Sequence, residues 1–105
     1  MAIELTPNKR SWITLSKELK VAVTIQRLND LGDTREIPYF SNIAKHISKI
    51  DDMSKTTVHN ALNHLMDLGT IDAEWGQVDT RWVRRFYVRG ESGEFIGKLT
   101  KAIYG

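Results

Sequence analysis

Apolar residues first recur at helical spacing at Val21, Ala22, Ile25 and Leu28, which share one face of a 3.6-residue repeat. Ser11, Thr14 and Ser16 precede this stripe as candidate N-caps, so a first helix is expected to run to about Leu31, ended by Gly32 and Asp33. Leu19 and Val23 add a second apolar patch, and a helix apolar on two sides has more to cover than one core contact. Residues 1–10 read as a polar lead-in, with Pro7 discouraging helix before it. Pro38 likewise makes Ile37-Pro38-Tyr39 a short extended segment. Ser41 is expected to cap a second helix with Ile43, Ile47 and Ile50 inward, interrupted by Asp51-Asp52, with Met53 tucked inside. Ser54 then caps a third helix, over about 55–68, on the stripe Val58, Leu62 and Leu65, widened by Ala61 and Leu68. Gly69 follows where a C′ glycine belongs.

Past Gly69 the period falls from 3.6 to 2. Ile71, Ala73 and Trp75 alternate with Asp72 and Glu74. After Gly76-Gln77-Val78-Asp79-Thr80, the positions Trp82, Arg84, Phe86 and Val88 alternate with Val83, Arg85, Tyr87 and Arg89. Two such runs around a Gly/Asp loop predict a β-hairpin. Trp82 and Phe86 are assigned inward with Arg84 snorkelling beside them, which turns Arg85 outward. Phe95, Ile96, Leu99 and Ile103 predict an amphipathic C-terminal helix over about 92–104. The fold class is mainly α with a small β-hairpin, an α+β domain.

The 105 residues suit one domain. No repeat, low-complexity tract or Pro/Gly/Ser linker divides 1–105. Hydrophobic residues make up 41% and charged residues 27%, which argues against disorder. No apolar run approaches the ~20 residues of a membrane span, and the first residues lack a secretory pattern, so a cytoplasmic location is expected, without membrane partners. The absence of cysteine excludes disulfides, thiolate zinc sites and cysteine nucleophiles. Fifteen Lys+Arg against thirteen Asp+Glu leave a net charge of +2. Distribution tells more: Arg81, Arg84, Arg85 and Arg89 lie in a strip without an acid, a pattern suited to phosphates.

The segments I-A-K-H-I and S-K-T-T-V-H-N-A-L-N-H-L-M-D-L-G-T-I, followed by the alternating hairpin, resemble the winged helix-turn-helix superfamily. The resemblance is most specific from Ile43 to Tyr87. It implies a helix-turn-helix over about 41–68, a wing over about 70–89, and double-stranded DNA as partner. Asp79-Thr80-Arg81 resembles the wing tip of MarR-type regulators. One departure is the six residues, 48–53, between Ile47 and Ser54, longer than the usual turn; Ile50 is expected to extend the second helix.

With Val58, Leu62 and Leu65 inward, the opposite face of the third helix presents Lys55, Thr56, His59, Asn60 and Asn63. Such compact polar residues let a backbone sit deep in a major groove, where Asn bonds adenine bidentately and the Thr methyl meets thymine. The N–H groups around Ser54, Lys55, Thr56 and Thr57 suit a phosphate. Arg81, held by Asp79, is expected in a minor groove, and Arg85 on a phosphate. The DNA-binding set is therefore Ser54, Lys55, Thr56, Thr57, His59, Asn60, Asn63, Arg81 and Arg85. The apolar excess of the first helix and the C-terminal helix points to a homodimer through both.

An enzyme is not expected. His46, His59 and His64 lack a metal-binding spacing, and neither a metal nor another cofactor is implied. Gly93-x-x-x-Gly97-Lys98 is one residue short of a phosphate loop and has Leu99 where Ser or Thr belongs; its glycines read as turn residues. The rival is a winged helix used as a protein–protein module. Structured RNA lacks support, since no ring-stacking aromatics are expected to be exposed on a sheet. Trp12, Trp75 and Trp82 read as core or interface anchors.

Overall fold

The computed structural model describes residues 6–32 and 36–105. Asp33 and the start of the polar lead-in lie outside the described residues. The order is α1 (Lys9–Ile13), α2 (Lys17–Leu31), α3 (Phe40–Ser48), α4 (Lys55–Asp67), β1 (Ile71–Val78), β2 (Arg81–Val88) and α5 (Gly90–Tyr104).

Of the candidate caps Ser16 is the one that starts the expected helix, now α2, and a short helix, α1, precedes it where the polar lead-in was expected to pass into the chain. Asn8 caps α1 by accepting from the Ser11 N–H at 3.3 Å. Ser16 caps α2 by accepting from the Leu19 N–H at 3.2 Å. Each cap satisfies an N–H that the first helical turn leaves unpaired. Gly32 ends α2 at φ 65°, a left-handed conformation open to glycine.

α2 is the axis of the fold. It packs against α3, α4, α5 and β2, and Val21, Ala22, Val23, Ile25 and Leu28 are all fully buried. Full burial of each larger aliphatic side chain contributes about 1.5–3 kcal/mol. Of its second apolar patch Val23 is fully buried and Leu19 partly so, and α5 packs against α2 with Ile96 and Ile103 in the same core. Arg27 of α2 sits 5.1 Å over the Tyr104 ring of α5, and the Ile103 carbonyl accepts from the Asn8 N–H at 2.8 Å.

α3 begins one residue before Ser41, with Tyr39 at the cap and no side-chain cap bond. It stops at Ser48. Ile50 does not extend it; the Ile50 and Asp51 N–H groups both turn back to the Ile47 carbonyl, and Ile50 packs at the edge of the core. Ser54 caps α4 as its position suggested, accepting from the Thr57 N–H at 3.1 Å. At the far end Thr70 N–H bonds the Leu65 carbonyl and Gly69 N–H the Met66 carbonyl, with Gly69 at φ 74°. This is the paired closure of a Schellman motif. Leu68, expected inward, is 65% exposed because the chain leaves the helix there.

The strands pair antiparallel from Ile71↔Val88 to Val78↔Arg81. The ladder thus runs through Gly76-Gln77-Val78, and the loop contracts to Asp79-Thr80, with Asp79 at φ 55°. Asx residues tolerate that conformation better than most. Pro38 O accepts from Phe86 N–H at 2.8 Å, so the extended Ile37-Pro38-Tyr39 segment lies against β2. Gly93 and Gly97 stand inside α5 rather than in a turn. Among the described residues no helix is long and apolar enough to cross a membrane.

Candidate nucleic-acid interface

The capping and stripe residues fix which way α4 faces. Val58, Ala61, Leu62 and Leu65 are buried, and Lys55, Thr56, His59, Asn60 and Asn63 are exposed on the other side. Ser54 and Thr57 join them only at the helix start. Their hydroxyls share a 2.9 Å hydrogen bond, so both are engaged in holding the first turn. His59 is set by Phe40, its ring edge-on at 5.8 Å between centroids. The face is therefore short, polar and free of acids up to Asp67.

A groove of about 520 Å³ runs between α4 and the hairpin, lined by Tyr39, Phe40, His59, Asn63, Met66 and Arg84 among others. Arg84 borders it with its guanidinium 5.6 Å from the Phe86 ring centroid and Nη2 3.6 Å from the Met66 sulfur. Aromatic and thioether contacts hold the side chain without neutralising its charge.

The hairpin corrects the orientation assigned to two residues. Phe86 is buried, but Trp82 is 65% exposed, because the strand has by then run past the helical body. Arg85 is turned toward that body. Its Nη2 donates to Asn29 Oδ1 at 2.7 Å and its Nη1 lies 3.4 Å from Glu74 Oε1, so a carboxylate and an amide already occupy it. Asn29 in turn donates to the Phe86 carbonyl at 3.2 Å. Arg84, not Arg85, is the cation on the α4 side. Arg81 is exposed at the first position of β2, and no ion pair joins it to Asp79 among the described residues. The sequence also missed that Trp75, 70% exposed, and Trp82 form an open aromatic surface on the sheet; alternation orders the faces within each strand, and only the pairing register places the two indoles on one side.

Two histidine–carboxylate contacts lie off this face. His64 Nδ1 meets Glu18 Oε1 at 3.3 Å; a backbone hydrogen bond at the start of α2, then His64, hold the Glu18 carboxyl below its usual range. His46 is buried against Glu36 at 2.7 Å. Among the described residues no group of three or more His, Asp or Glu is placed to hold a metal ion.

A helix pair joined by a turn, its second helix bared on one side and flanked by a two-stranded hairpin, is a winged helix-turn-helix. Two solved structures share the fold. SSV1 F-93 superposes with a TM-score of 0.60 at 20% identity, over 84% of this chain and 86% of that one. Pex from Synechococcus sp. (strain PCC 7942) does so with a TM-score of 0.55 at 24% identity, over 83% and 78%. No protein-family model matches the sequence, and no curated protein does.

Proposed function

We propose that the protein is a sequence-specific double-stranded DNA-binding protein that regulates transcription, with α4 in the major groove and the hairpin as its wing. The observation that carries this reading is the exposed stripe Lys55, Thr56, His59, Asn60 and Asn63 on a helix whose opposite face, Val58, Ala61, Leu62 and Leu65, is buried in the core. Asn60 and Asn63 read base edges, and Thr56 offers its methyl to thymine. Lys55 and the N–H groups behind the Ser54 cap receive a phosphate, while Ser54 and Thr57 hold those N–H groups in place. Arg81 enters the adjoining minor groove. Arg84 takes the phosphate role once assigned to Arg85. The Asp79-Thr80-Arg81 tip favours a MarR-like wing, and DNA binding in the cytoplasm needs no enzyme activity.

We further propose a homodimer through α2 and α5, at the end of the second apolar patch where Leu19 is only partly buried. Leu68 and Phe95 are 65% and 60% exposed beside an apolar groove that also takes in Leu19 of α2 and Ile96 of α5. A knob beside a groove is self-complementary about a two-fold axis, and a two-fold pair of α4 helices matches half-sites about 34 Å apart. The test is selection from a random duplex pool at stated salt, followed by titration of the selected site with Asn60→Ala. An inverted repeat whose affinity falls with Asn60→Ala supports the reading. Absence of any duplex binding at low salt refutes it in favour of a protein–protein module.

A further inference from the structure

Trp75 and Trp82 are two of the three tryptophans, and among the described residues both are mostly exposed. Directly paired residues of antiparallel strands project to the same side. Trp75 pairs with Arg84, and Gln77 with Trp82. Both indoles therefore share one face with Arg84 and are diagonal neighbours across the ladder, within reach of one another. That face continues inward to the buried Phe86. Its acidic neighbours Asp72 and Glu74 project to the opposite side with Arg85. The outer end of the face thus holds two indoles, an amide and a guanidinium, with no carboxylate.

An exposed indole pair gains free energy when an apolar or aromatic surface covers it. An acid-free surface with a fixed cation selects a polyanion as that cover. Both conditions describe a strand with unpaired bases, in which rings stack on aromatics and the backbone is held by Arg. Arg84 also lines the groove shared with His59 and Asn63 of α4, so a strand leaving a duplex seated on α4 passes over Arg84 to reach Trp75. The duplex side selects DNA, because the major groove of an RNA helix is too narrow for α4.

We propose that the wing is a stacking platform for unpaired bases of single-stranded DNA adjoining the duplex, with Trp75 and Trp82 under the bases and Arg84 on the backbone. The inference rests on the α4 reading only for the position of the duplex. Trp12 is buried, so quenching of tryptophan emission reports on Trp75 and Trp82.

The experiment titrates the full chain with three ligands: a blunt duplex of the selected sequence, the same duplex bearing an oligothymidylate tail, and oligothymidylate alone. Oligothymidylate is expected to quench the exposed indoles, and the tail to raise duplex affinity by about tenfold or more. Trp75→Ala and Trp82→Ala each remove most of that gain and leave the blunt duplex within about twofold, since both side chains are exposed and lie outside the reading helix. Asn60→Ala does the reverse, weakening the blunt duplex and sparing oligothymidylate. Quenching without blunt-duplex binding defeats the α4 reading and leaves the platform standing. The platform is overturned by no quenching, by a tail that adds nothing, or by a gain that survives both Trp variants. It is equally overturned by tighter binding of oligouridylate, or by an emission shift with protein concentration alone, which places a second copy on the indoles.

Discussion

The indole N–H of Trp12 donates to Asp51 Oδ2 at 3.1 Å, joining positions 39 residues apart. Asp51 lies in the turn between α3 and α4, so this bond ties α1 to the turn that aims α4. Lys20 Nζ reaches the same oxygen at 2.6 Å and stands 5.7 Å over the Trp12 ring.

Removing the acceptor tests this latch. Asp51→Ala strands a buried indole N–H and a half-buried ammonium and is expected to cost about 2–3 kcal/mol. Asp51→Asn keeps an acceptor for Trp12 and is expected to cost about 1 kcal/mol. Urea unfolding at neutral pH checks both; equal losses contradict the double role.

The same site gives a pH dependence of known sign. The Lys20 hydrogen bond, with lesser help from the Trp12 and Asp52 N–H groups, holds the Asp51 carboxyl below its ordinary value of 3.8. Its contribution is therefore fully present above that unfolded value and is lost as pH falls through the folded one. Wild-type stability should drop more steeply than that of Asp51→Asn below about pH 4. Parallel acid profiles would show that Asp51 is not the group responsible.

Base readers and phosphate contacts should fail differently. Asn60→Ala is expected to cost about 1–3 kcal/mol on the selected site and little on scrambled duplex. Lys55→Ala and Arg84→Ala should weaken both duplexes alike and each flatten the log–log salt slope by about one. Arg81→Ala should matter most where an A-tract lies under the wing. If Asn60→Ala loses equally on both duplexes, α4 is not the reader.

Arg85→Ala should behave as a structural change. Its loss leaves Asn29 Oδ1 without its 2.7 Å donor, at a cost of about 1 kcal/mol in stability. The salt slope should stay at the wild-type value. A flattened slope would return Arg85 to the phosphate contacts.

The dimer surface can be struck without touching the core. Phe95→Asp and Leu68→Asp change exposed residues, so folding stability is expected to move by about 0.5 kcal/mol at most. Sedimentation at tens of micromolar should show a dimer for wild type and a monomer for either variant. A wild-type monomer at that concentration excludes this interface.

The sequence by itself determined the helical and strand segments whose signals are local. A Ser three residues ahead of an unpaired N–H, a stripe at 3.6 spacing and a glycine free to take positive φ act within one helix. For that reason the Ser54 cap, the inward face of α4 and the turn at Gly69 were all legible. So was the exposed polar stripe from Lys55 to Asn63, being only the complement of the buried one. Tertiary structure alone decided what lies on either side of a two-faced element. Alternation put Trp82, Arg84 and Phe86 on one face and Arg85 on the other, but burial ends where the hairpin outruns the helices, which leaves Trp82 in solvent and Phe86 in the core. Arg85 was claimed by Asn29, distant in sequence, and α5 of the same chain packed against α2, where part of the apolar excess is buried. Neither partner is encoded in the local pattern, because burial depends on which surfaces the closed chain brings together.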